Sequence, residues 1–249
     1  MRNGTHIVDL SYDQLRSSFD RTATLVERAR RFRADRIEAI STGLGGRPLV
    51  EGPICVLHFI PVASMAGNRH VDIQALLNNF MEYAFGWSAV WRATNLDGLI
   101  VYPGRGANEA VKGFTHVFRS GALEAVQTGA AVADPTSKII PSLLVARFFR
   151  TAIEKFLRAS LSLGFTGPAT VGANLLRVGE YQFQTGREWH SRNATRADRE
   201  HLILPETWLE DIGTTESDAV ARPLLDVLWQ AFDAGQCDLY DDKGQWQPE

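Results

Sequence analysis

The stretch FTHVFRSGALEAV, Phe114 to Val126, decides how this chain is read. On both sides of Ser120-Gly121, apolar and polar residues alternate with the period of two that puts successive side chains on opposite faces of a sheet. Glycine tolerates the positive φ of a tight turn, so the pattern predicts a β-hairpin with a two-residue turn at Ser120-Gly121. The same stretch holds His116, Arg119 and Glu124, and the alternatives are a scaffold hairpin or one that presents these three as a site. Arg119 and Glu124 flank the turn and are expected to form a cross-strand ion pair, which is a scaffold device.

Upstream, Ser88 to Ala93 and Gly98 to Tyr102 share the period of two and meet at Asn95-Leu96-Asp97-Gly98. With Gly113 to Arg119 and Ala122 to Gln127 they predict an antiparallel meander. Before it, ICVLHFIPV follows Pro53 and is short, β-branched and bounded by breakers, the pattern of a buried strand. VDIQALLNNFMEYAF suggests a short helix. Two helices are expected at the start: one from about Tyr12, capped by Asp9 or Ser11 and burying Leu15 and Phe19, and one from Thr22 to Thr42. At about 100° per residue, Leu25, Val26, Ala29, Phe32, Ile37 and Ile40 share one face of the second, which ends at Gly43-Leu44-Gly45-Gly46.

Downstream, Pro141 to Leu163 reads as a helix with Arg147, Arg150, Glu154 and Arg158 on its polar stripe and Val145, Phe149, Ala152, Phe156 and Leu163 opposite. Ala169 to Val178 and Tyr181 to Gln184 read as strands around a turn at Gly179-Glu180, Thr185 to Asp198 as irregular, and His201 to Leu204 as a short apolar run. A final helix over Ala219 to Ala234 carries the apolar stripe Leu224, Leu225, Leu228, Trp229 and Phe232, and Asp241 to Gly244 can close a last hairpin. A meander with separate helices predicts an α+β fold, an antiparallel meander sheet packed against several helices. The expected organisation is an entry segment and short helix over 1–20, a helix, buried strand and meander over 21–135, and helices and further strands over 136–249, continuous with 21–135.

A length of 249 residues with 45% hydrophobic residues is enough for a sizeable core. The net charge of −3 gives no global attraction to nucleic acid or anionic membrane, so such contacts need a local patch. Cys55 and Cys237 lie far apart and lack zinc-site spacing, so they are expected as reduced structural thiols. No run is long enough to span a bilayer and the first residues lack a signal-peptide core; a cytoplasmic protein without membrane contact is expected.

Five groups of residues invite a functional reading. RARRFRADR, Arg28 to Arg36, is a candidate phosphate-contacting helix, and Arg28, Arg31, Arg147, Arg150 and Arg158 are the candidate nucleic-acid residues. Against this, Glu27, Arg31, Asp35 and Glu38 alternate in sign, and Arg33 and Arg36 lie at the edge of the apolar stripe, positioned to pair with a carboxylate. The glycines at Gly43 to Gly46 and Pro103 to Gly113 fit neither a phosphate loop nor a dinucleotide fingerprint, so no cofactor is predicted. His58, His70, His116, His190 and His201 show no spacing that would gather them, and no metal site is predicted. Ser64, Ser120 and Ser160 lack a nucleophile elbow, and Cys55 sits in an apolar strand, so no catalytic residue is assigned. Asp97, Glu109, Glu124 and Glu180 flank loops, and a hydrolase or nuclease would require them to converge in three dimensions.

Taken in order, RNGTHIVDLSYDQLRSSF, ERARRFRADRI, ICVLHFIPVA, NLDGLIVY and FTHVFRSGALEAV resemble the region that follows the AlbA-type, Schlafen-like domain in bacterial proteins described as ATP-binding or transcription-regulator-like. The resemblance covers Arg2 to Val126 and, more loosely, the helix beyond. It implies that Arg2-Asn3-Gly4-Thr5 is the tail of that preceding domain and that this chain is the C-terminal half of such a protein. The family's nucleotide- or nucleic-acid-binding elements belong to the AlbA-type domain, so none of those residues is carried over. The resulting expectation is a non-enzymatic companion or regulatory domain that contacts a Schlafen-like partner domain or self-associates. A nucleic-acid-associated module and a hydrolase or nuclease are the alternatives.

Overall fold

The computed structural model describes residues 12–68, 70–87, 89–104, 109–129, 132–134, 136–185 and 193–247. The expected caps at Asp9 and Ser11, and the side chains of Leu15 and Phe19, lie outside the described residues. The chain begins with one helix, α1 (Tyr12–Ser41), where the sequence predicts two. Asp20 and Arg21 are compatible with helix, and neither Gly nor Pro interrupts the run between Tyr12 and Ser41. The expected boundary between residues 20 and 21 therefore falls inside a continuous helix.

After α1 come β1 (Ile54–Pro61), α2 (Ile73–Asn78), β2 (Val90–Thr94), β3 (Gly98–Pro103), β4 (Gly113–Phe118) and β5 (Leu123–Thr128). Then follow β6 (Ile139–Pro141), α3 (Ser142–Ser162), β7 (Ala169–Leu176), β8 (Gln182–Thr185), β9 (Asn193–Arg196), β10 (His201–Ile203), β11 (Thr207–Leu209) and α4 (Ser217–Gln230). The main sheet runs β10-β7-β1-β5-β4-β3-β2 with β11 also on β7, and its pairs are antiparallel, which is the α+β architecture predicted. Strands from both halves of the chain interleave in it, with β7 beside β1.

Two readings of the downstream strands are corrected. β7 and β8 do not pair with each other; β8 joins a second, small sheet, parallel to β6 and antiparallel to β9. The segment read as irregular contains β9, whose partner is local and whose sequence is polar because its strand is short and at an edge.

The hairpin at Phe114 to Val126 forms as β4 and β5, but its loop is one residue longer than predicted. Gly121 N–H donates to Phe118 O and Phe118 N–H donates to Ala122 O, which makes a three-residue loop with Gly121 at φ +96°. A side chain at Gly121 would also collide with the Phe165 ring, 2.3 Å from an ideal Cβ. This loop fixes the register, setting His116 opposite Glu124.

All eight residues of β1 are buried, which explains why ICVLHFIP shows no alternation: both faces of the sheet are covered there. Cys55, Leu57, Phe59, Val117, Leu123, Ala125, Val171 and Ala173 point to one side, where α3 and α4 pack with Phe149, Phe156, Leu225 and Trp229. Ile54, Val56, Phe114 and Val126 point to the other side, where α1 lies with Ile37 and Ile40.

Candidate functional site

Each of four neighbouring strands carries polarity on the α1 face that its apolar neighbours do not predict. His58 of β1 stands opposite Glu124 of β5, and Glu124 stands opposite His116 of β4. On the other side His58 is opposite Gly172 of β7, with Asn174 two residues further along the same face. Strands in a ladder are about 4.8 Å apart, so the two imidazoles flank one carboxylate in a single row. His58, Asn174 and Glu124 are fully buried, and His116 nearly so.

Two arginines of α1 close this row from above. Arg36 Nε and Nη2 donate to the two oxygens of Glu124, both at 2.8 Å, and Nη2 also donates to Gly45 O at 2.6 Å. Arg33 Nη2 donates to Asn174 Oδ1 and Leu204 O, both at 2.8 Å, and to Ala173 O at 3.4 Å. The absence of a side chain at Gly172 makes room for Arg33: a Cβ there would lie 2.3 Å from Arg33 Nε. Phe118 stacks on His116 with ring centroids 3.9 Å apart, meets Phe32 edge-on, and lies 5.1 Å from the Arg36 guanidinium.

Burial pushes the Glu124 carboxyl up, but hydrogen bonds from Arg36 and His58 and the charge of Arg36 outweigh it and hold it at about 2. An ionised carboxylate only accepts, so His58 Nε2, 3.0 Å from Glu124 Oε2, carries the proton of the neutral ring. Burial lowers His58 against the opposing pull of Glu124. It also lowers His116, to about 4, and neither ring nitrogen of His116 has a hydrogen-bond partner among the described residues. His58, Glu124 and Arg36 together form an ionised pair with a neutral imidazole attached.

Arg36 pairs with a carboxylate as the sequence implied, whereas Arg33, expected to do the same, bonds an amide and carbonyl oxygens; the carboxylate Arg36 meets is Glu124, which also corrects the expected Arg119–Glu124 pair. In the longer loop Arg119 turns away and donates to Leu96 O and Asn95 O, fastening the β2–β3 turn. Arg28 donates to Met65 O at 3.3 Å, and Arg30 pairs with Glu206 at 2.7 Å. Four of the five arginines from Arg28 to Arg36 therefore tie α1 to the rest of the protein, whereas Arg31 is exposed.

The candidate nucleic-acid residues are divided between the two sides of the sheet. Arg28 and Arg31 lie on α1, and Arg147, Arg150 and Arg158 on α3. Arg150 is held by both oxygens of Asp218 at 2.7 and 3.0 Å, and Arg158 pairs with Glu154 at 2.9 Å; Arg147 is exposed.

The four acidic candidates do not converge. Glu124 is buried, Glu180 pairs on the surface with Lys138 at 2.7 Å, Glu109 is exposed, and Asp97 sits in the β2–β3 turn, where its charge still acts on Arg36 and His116. Among the described residues no three His, Cys, Asp or Glu side chains are placed to hold a metal ion. Cys55 and Cys237 are buried thiols, and burial pushes the Cys55 thiol far up, away from a nucleophilic thiolate. A surface groove of about 550 Å³ lined by Arg196, Arg199, Pro205, Val227 and Gln230 shares no residue with the polar row. No helix among the described residues is long and apolar enough to cross a membrane. Neither a family model, nor a curated protein, nor a solved structure matches this chain.

Sequence reasoning missed Gly172 and Asn174, and missed that His58 and His116 flank Glu124. One signal was present: each of the apolar strands β1, β4, β5 and β7 carries a His, Glu or Asn, a residue type that burial does not favour without a partner.

Proposed function

We propose that this chain is a non-enzymatic companion or regulatory domain of a Schlafen-like, AlbA-type bacterial protein, acting through protein contacts or self-association. The observation that carries this reading is the enclosure of Arg33, Arg36, His58, His116, Glu124 and Asn174 between α1 and the sheet. This set of polar side chains fastens a thirty-residue helix, with His58, His116, Glu124 and Asn174 buried and Arg33 and Arg36 partly so. A helix of that length spans about 45 Å, so α1 is a rigid arm suited to carry a neighbouring domain at a set orientation. The family resemblance places that neighbour before α1.

The test is calorimetric titration of the purified chain with a separately expressed AlbA-type domain, with sedimentation equilibrium of the chain alone. Association is expected between about 1 and 100 µM, the range of a contact worth about −8 to −5 kcal/mol. A chain that stays monomeric and ignores the AlbA-type domain throughout overturns the reading. Salt-sensitive binding to DNA or RNA, lost in Arg28→Glu with Arg31→Glu, would put the nucleic-acid-associated module in its place.

A further inference from the structure

The main sheet has two outer edges, and they differ. On one side β10 and β11 are three residues each, interrupted by Pro205, with the Arg30–Glu206 ion pair beside the break. Short strands, proline and charge are the means by which an edge avoids pairing with another chain. On the other side β2 is five uninterrupted residues, VWRAT, and no described strand pairs with its outer edge. Trp91 there is 46% exposed, with exposed Leu96 in the adjoining turn, and the Arg92 guanidinium lies over the Phe80 ring, 4.4 Å from its centroid, beside the exposed Met81.

The hydrogen bonds to β3 determine which backbone groups remain. Asn95 N–H donates to Gly98 O and Gly104 N–H donates to Ala89 O, so the residues bonded to β3 are Ala89, Trp91, Ala93 and Asn95. Val90, Arg92 and Thr94 therefore direct their N–H and C=O groups outward, toward whatever adds to the sheet.

We infer that β2 pairs antiparallel with β2 of a second copy of this chain, with Trp91 opposite Trp91. A two-fold axis perpendicular to the sheet keeps each face on its own side, so the residue on the axis must face its own copy. Centring on Arg92 sets two guanidinium groups opposite each other, which disfavours the pair. Centring on Trp91 sets Arg92 opposite Val90 in hydrogen-bonded pairs. It puts the two indoles at a non-hydrogen-bonded position, where opposed Cα atoms are about 4.5 Å apart and side chains are closest. The joined sheet carries both α1 helices on the same face. This rests on the protein-contact reading above and names its surface and partner.

The experiment uses the full chain with three single variants. Sedimentation equilibrium is expected to show a dimer for the wild type and a monomer for Trp91→Lys and for Arg92→Pro, which removes an outward N–H and leaves the bonds to β3. Far-ultraviolet circular dichroism is expected to be unchanged in both. Trp91→Cys is expected to form an intermolecular disulfide on mild oxidation, because about 4.5 Å between Cα atoms lies within disulfide reach; the native thiols are buried. A monomeric wild type with no disulfide in Trp91→Cys overturns the edge pairing, while the AlbA-type titration judges the companion reading separately. A dimer that persists in both monomer-directed variants also overturns it and moves the contact to another surface.

Discussion

The two faces of the main sheet are built from the same strands and held by opposite means. Leu123 and Ala125 of β5 face α3 in an apolar core, whereas Glu124, between them, faces α1 in an ionic row. Both faces are buried, so the difference lies in what burial asks of each. The apolar side gains from area removed from water and tolerates small shifts of α3. The ionic side gains little net energy, because desolvating Arg36 and Glu124 offsets much of their attraction, but it penalises every misplacement of α1. The α3 face supplies stability and the α1 face supplies position.

Removing volume from the apolar face is the harshest test of this contrast. Phe149→Ala is expected to cost about 3–5 kcal/mol in urea denaturation, the range for a fully buried aromatic. On the ionic face, Glu124→Ala is expected to cost about 3 kcal/mol by leaving Arg36 uncompensated. Converting both partners, Arg36→Met with Glu124→Leu, is expected to recover most of that loss. A double-mutant cycle with no coupling would erase the distinction between the faces.

Acid sharpens the comparison, since the buried imidazoles and the buried carboxylate lie on the α1 face. An unfolded imidazole takes a proton near 6.5, while folded His116 resists until about 4, so between these values the unfolded chain binds more protons. Stability is therefore expected to fall by about 3 kcal/mol through His116 as pH drops from 7 to 4, and His116→Phe is expected to remove that share of the slope. Glu124 contributes stability above its unfolded value that is lost only as pH falls from about 4.5 toward about 2. A wild-type slope unaffected by the substitution would remove His116 from the explanation.

Smaller effects are expected from crowding the row and from its outer surface. Gly172→Ala forces Arg33 aside and is expected to cost about 1–2 kcal/mol, with Asn174 losing its partner. Arg31→Glu with Arg147→Glu changes exposed charges on opposite sides of the sheet and is expected to stay within about 0.5 kcal/mol.

Much of the fold was legible because periodicity is local. The meander, the buried β1, the apolar stripes of α1 and α3 and the pairing of Arg36 with a carboxylate all follow from spacing within one segment. The polar row was not legible in the same way. His58 is 66 residues from Glu124, and its place in the row depends on the order β1-β5-β4, while the pairing of His116 with Glu124 in one hairpin depends on a loop one residue longer than the shortest. A one-residue change of register would have sent Glu124 to the apolar face, so the exact turn mattered more than the strand propensities.

By itself the sequence determined which segments alternate, which helices have an apolar side, and that an arginine-rich helix must face both water and protein. Only the tertiary structure decided which carboxylate Arg36 meets, why residue 172 has no side chain, and which sheet edge is left open. The physical reason is that side-chain parity is set within a strand, whereas partners are set by strand order and register, which hydrogen bonds between distant segments establish.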